Sequence, residues 1–88
     1  MIYWISVVAI VGGDIILECT LTGSNTWWQK NMTWTWSSKL EDSSKYRSTN
    51  TKYLTILNID VNDAGTYRCL DGTQRQQIGL IVTGMYCR

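Results

Sequence analysis

Chemistry in this chain would have to come from thiols, hydroxyls and carboxylates, because it contains no histidine. Histidine is the commonest general base, and a serine or cysteine nucleophile needs such a base oriented by a third group. No glycine-rich phosphate cradle follows a strand-like run. An enzyme is therefore not expected, and neither is a cofactor or metal. The remaining reactive groups are three cysteines, Cys19, Cys69 and Cys87. An odd number implies pairing outside the chain or an incomplete motif.

Eighty-eight residues make one domain, and a chain this short buries a limited fraction of its surface. A covalent staple would matter to it. The net charge is +1, so long-range attraction to nucleic acid or anionic membrane is not predicted. The residues that position the cysteines read as strands. Ile5 to Val11 is rich in β-branched residues and is broken by Gly12-Gly13. The apolar start from Met1 resembles a signal-peptide core, but it lacks a basic lead and is too short to span a bilayer, so it is read as the first strand.

Ile15 to Leu21 alternates with period two, placing Ile15, Leu17, Cys19 and Leu21 on one face. Trp27-Trp28-Gln29-Lys30 is the next strand, with one tryptophan inward and its neighbour outward. Asn31-Met32 reads as a turn into an alternating strand, Thr33-Trp34-Thr35-Trp36. A polar loop with a weak edge strand near Lys45-Tyr46-Arg47 follows, then a strand from Tyr53 to Ile59. Asp63-Ala64-Gly65 is turn chemistry leading into Thr66-Tyr67-Arg68-Cys69, with Tyr67 and Cys69 on one face and Arg68 on the other. Gln76 to Thr83 is the last strand.

Asp63-x-Gly65-x-Tyr67-x-Cys69, preceded by Cys19 and a tryptophan pair, resembles the immunoglobulin superfamily. The resemblance implies an all-β, two-sheet sandwich, between C2 or I-type and V-like, over residues 1–84. It also implies a disulfide from Cys19 to Cys69 between the sheets, and hence an oxidising compartment. By the family pattern Trp27 packs against that disulfide, Tyr67 forms the tyrosine corner, and Arg47 pairs with Asp63. Trp28 then faces outward. Trp34 and Trp36 share one face, packing inward in place of the absent phenylalanines or outward as an aromatic patch with Trp28; inward packing is preferred.

Asn31-Met32-Thr33 is an N-glycosylation acceptor in a predicted turn. Residues 85–88 read as the start of a membrane-proximal stalk carrying Cys87. Cys69 to Gln74, followed by a short strand and Met85-Tyr86-Cys87-Arg88, resembles the ectodomains of the gamma/delta-type invariant signalling subunits of the T-cell antigen receptor complex. The Trp-Trp…Asn-x-Thr-Trp run resembles the Ig-alpha chain of the B-cell receptor as closely. Two departures are the missing second stalk cysteine and a longer stretch from Trp34 to Asn50.

The resemblance implies a non-catalytic ectodomain at the plasma membrane, anchored beyond Arg88. A sister immunoglobulin-like subunit would pair with it through the edge of the last strand. Gln77, Ile78, Gly79, Leu80, Ile81 and Val82 would make that edge, an uncharged run without proline. The alternative is a free-standing adhesion or viral decoy module that binds a protein through the Trp28 face.

Overall fold

A computed structural model describes residues 5–84, and seven strands form in order. They are β1 (Ile5–Ile10), β2 (Ile15–Glu18), β3 (Trp27–Lys30), β4 (Tyr46–Arg47), β5 (Tyr53–Ile56), β6 (Gly65–Asp71) and β7 (Gln74–Thr83). Among the described residues the helical content is a single 3-10 turn, Val61–Asp63, capped by Asp60.

Two sheets result, β1-β7-β6-β3 and β2-β5-β4. All pairings are antiparallel except β1 with β7, which run parallel from Ile5 opposite Ile78 to Ile10 opposite Thr83. Period-two alternation turns one face of each sheet inward. Leu17, Leu54 and Ile56 from one sheet meet Trp28, Tyr67, Cys69, Ile78 and Leu80 from the other, all buried. Cys19, just past β2, is bonded to Cys69 across the sheets, with Cα atoms 6.0 Å apart. Its N–H still donates to Lys52 O at 2.7 Å, so the staple hangs from an intact ladder. Closing a loop of 50 residues stabilises by about 4 kcal/mol in the chain-entropy picture.

Three sequence expectations about the elements are corrected. Thr33–Trp36 is not a strand: the chain reverses there, with Met32 N–H donating to Thr35 O at 2.7 Å and one isolated bridge between Asn31 and Trp36. Trp34 is 93% exposed at that tip and Trp36 is half-buried, so neither fills the core. The last strand is not an edge either. β7 lies inside its sheet: Gln74–Leu80 pairs with β6 and Ile78–Thr83 with β1, so Ile78–Leu80 is flanked on both sides. Gly79 does permit a close backbone approach, but the neighbour is this chain's own β1: a Cβ there would lie 3.4 Å from Ser6 Oγ and 3.7 Å from Ile5 O. The stalk residues 85–88, Cys87 among them, fall outside the described residues.

Candidate functional site

The two tryptophans of β3 exchange the roles assigned to them. Trp28 stands opposite Cys69 and Trp27 opposite Leu70, so the Trp28 ring shares the disulfide's side of the sheet. Trp28 is fully buried, and its indole N–H donates to Thr51 O at 2.8 Å, which removes the cost of burying that donor. Trp27 is half-buried on the outer face. The expected Trp27 core and Trp28 surface are thus reversed.

At one end of β6, Tyr67 is buried and its hydroxyl donates to Asp63 O at 2.7 Å. Burial, then the nearby Tyr46 and Asp63, push the Tyr67 phenol well above its ordinary value. The Asp63 carboxylate is also buried. Its cation is Lys45, at 2.7 Å, and not Arg47, which is exposed with Nε donating to Ser43 O at 3.2 Å. Lys45 lies just before the short strand, from where its Nζ also donates to Asn58 O at 3.0 Å. Asp63 further accepts the Asp60 N–H at 2.8 Å, closing the capping box of the 3-10 turn. The opposite end of β6 has a second lock that sequence reading missed. Asp71 Oδ2 accepts from Thr26 Oγ1 at 2.9 Å and from Asn25 N–H at 3.2 Å, with Lys52 Nζ at 3.6 Å. The only sequence signal was a lone Asp before Gly72. These locks are structural.

The outer face of the four-stranded sheet is different in kind. Arg68 projects from its middle, with its guanidinium 4.1 Å from the centre of the Trp36 ring and Nε donating to Gln29 Oε1 at 2.8 Å. Partial burial and the neighbouring Arg75 charge hold the Arg68 guanidinium below its ordinary pKa. No carboxylate pairs with it among the described residues. Trp27 lies beside it on β3, and Gln77 stands opposite it on β7. Of the expected docking residues, Gln77 and Ile81 are exposed on this face and Gly79 half-exposed. Ile78 and Leu80 point into the core, and Val82 is half-buried against it. Strands β1, β3, β6 and β7 contain one carboxylate, Asp71, and that one is buried. The exposed face is therefore cationic and aromatic.

Asn31 is exposed where β3 leads into the turn. Among the described residues no cluster of side chains could hold a metal ion, and no helix is long and apolar enough to cross a membrane.

This chain belongs to the immunoglobulin domain family, whose model matches residues 2–70. No curated relative matches the sequence. Among solved structures, its fold is similar to the extracellular domains of the voltage-gated sodium channel beta4 subunit, described as parallel homodimers explaining a role in cell-cell adhesion. That match has 21% identity, a TM-score of 0.72 and coverage of 94% of this chain and 88% of the other. The second Ig domain of the mouse polymeric immunoglobulin receptor matches at 16% identity with a TM-score of 0.75, over 96% and 100% of the two chains. The N-terminal four Ig domains of Dscam1 match at 18% identity with a TM-score of 0.74, over 94% and 23%. At these identities the likeness concerns the fold.

Proposed function

We propose that this domain is an extracellular, non-catalytic recognition module that binds a protein partner through the outer face of β3, β6 and β7. The observation that carries this reading is Arg68, stacked on Trp36 and held by Gln29 with no carboxylate of its own. A guanidinium already fixed in place loses little freedom on binding, and arginine and tryptophan are enriched where interfaces concentrate their energy. The partner that fits has carboxylates among apolar groups. The disulfide supports an oxidising location, and the extracellular domains sharing this fold support the cell exterior. A glycan on Asn31 would stand at the rim of this face.

The expected sister subunit of a receptor complex remains a partner of this class. It would meet Gln77, Gly79 and Ile81 by their outward side, and not through β7's backbone ladder, which β6 and β1 take up on both sides over Ile78–Leu80. Plasma-membrane anchoring beyond Arg88 belongs to the same reading.

The test displays the domain as a multimer against a panel of extracellular domains that includes immunoglobulin-like receptor subunits. Arg68→Glu and Trp27→Ala should abolish the captured interaction. Glu18→Gln, on the opposite sheet, should leave it intact. Equal binding by all variants would refute the assignment of this face.

A further inference from the structure

Two sheets leave four strand edges, on β1, β3, β2 and β4, and three of them are guarded. Along β3 the following segment already donates, Leu40 N–H to Trp28 O at 3.0 Å and Ser37 N–H to Lys30 O at 2.8 Å. β4 is two residues long, carries Arg47, and has Tyr46 O accepting the Ser43 N–H at 2.8 Å. β2 is four residues long and carries an exposed charge, Glu18. Short length, covering segments and charge are the usual means of keeping an edge from pairing. β1 has none of them. It is six residues long, Ile-Ser-Val-Val-Ala-Ile, uncharged and free of proline, and no described segment lies along it.

The groups presented there follow from the ladder. Val11 N–H donates to Thr83 O at 3.0 Å, and backbone groups alternate sides along a strand. The ladder to β7 therefore uses Ile5, Val7, Ala9 and Val11, and the N–H and C=O of Ser6, Val8 and Ile10 point away from it. The Ile10 carbonyl also accepts the Gly13 N–H at 2.9 Å and keeps a second lone pair. The same residues hold their side chains outside the core, with Val8 59% and Ile10 61% exposed. Beside Val8 on β7 is Ile81, 51% exposed.

We propose that β1 pairs antiparallel with β1 of a second copy of this chain about a two-fold axis at Val8. In that register Val8 meets Val8 and Ser6 meets Ile10, and every outward backbone group faces a complement. All three contacts are hydrogen-bonded pairs, the class in which residues exchange both bonds. No charge meets its like, because the strand has none. The Ile81–Val8 strip runs across the axis into its symmetry mate, while Val7 and Ala9 face Ala9 and Val7 on the core side. Self-complementarity about a central residue selects a second copy as the occupant, since an isologous contact requires it. The two four-stranded sheets become one, with both recognition faces on the same side. The pairing does not depend on that face being used.

Sedimentation equilibrium on the oxidised chain tests this, with Cys87→Ser in every sample so that only the edge is read. A concentration-dependent dimer is expected, and Val8→Lys should weaken it about tenfold by setting two ammonium groups directly opposite each other across the axis. Val8 is exposed, so the monomer's thermal unfolding should not change. Val8→Cys should oxidise to a covalent dimer, because hydrogen-bonded antiparallel pairs place Cα atoms about 5.5 Å apart, within disulfide reach. Ser6→Cys should not link to itself, yet should link to Ile10→Cys when the two are mixed. A monomer up to millimolar concentration, a dimer indifferent to Val8→Lys, or Ser6→Cys linking to itself as readily as Val8→Cys would overturn the proposal.

Discussion

The inner and outer faces of the four-stranded sheet are built by the same four strands and use their residues in opposite ways. Inside, Trp28, Tyr67 and Cys69 are buried with each polar atom engaged: an indole N–H on Thr51, a phenol on Asp63 and a sulfur in the disulfide. Outside, Trp27 and Trp36 are half-buried, and Arg68 holds its charge without a carboxylate. Neighbouring residues of one strand thus serve different ends. The inner one is fixed by what it would cost to remove, and the outer one is left with unused binding capacity.

Four tests probe that division, from the largest expected effect downward. Trp28→Ala should destabilise by about 3–5 kcal/mol, as for a large aromatic in a close-packed core. Trp27→Ala should cost about 1 kcal/mol. Denaturant melts that reverse this order would exchange the two faces. Asp63→Ala comes next, at about 2 kcal/mol, because it strands Lys45 and opens the Asp60 cap. The companion Arg47→Ala should shift the melt by less than about 0.5 kcal/mol.

Tyr67→Phe should cost about 1–2 kcal/mol for the lost bond to Asp63 O. It also carries a pH signature. The folded phenol titrates above its ordinary 10.0, so the folded state keeps a proton that the unfolded chain releases. Stability from this group is complete below pH 10 and declines as pH rises beyond it toward the folded value. An alkaline series of thermal melts should show the decline, and Tyr67→Phe should flatten it. The last test belongs outside. A double-mutant cycle on Arg68 and Trp36 should give a coupling of about 0.5–1 kcal/mol, the range of an exposed cation–aromatic pair.

Much of the sandwich was legible from alternation and from the cysteines. Leu17, Cys19, Leu54, Ile56, Ile78 and Leu80 all show a period of two, and all are buried. What failed was whatever depends on register or topology. Two adjacent tryptophans in a four-residue strand carry no internal sign of which faces in; the pairing of Trp28 with Cys69 decides it, and that lies across the sheet. Thr33–Trp36 alternates as a strand should, but it lacks a partner of sufficient length, and the chain turns instead. Lys45 and Arg47 have equal charge and lie two residues apart, so only the path of the chain shows which reaches Asp63. The edge of β7 looked open because no local signal announces that β1 returns alongside it in parallel.

That parallel return has a mechanical consequence. Because β1 and β7 point the same way, the chain comes into the domain at Ile5, beside Ile78, and leaves past Thr83, beside Ile10, at the far end of the shared ladder. Tension applied to the two ends of the domain would then pull β1 and β7 lengthwise past each other. Evenly spaced bonds along such a pair share the load and must yield together, where a hairpin pulled from one end gives way a bond at a time. Resistance to force is a matter of unfolding rate more than of equilibrium stability. A stretch from Ile5 to Ile10 that adds little to the core in bulk would set how long this domain stays folded when pulled.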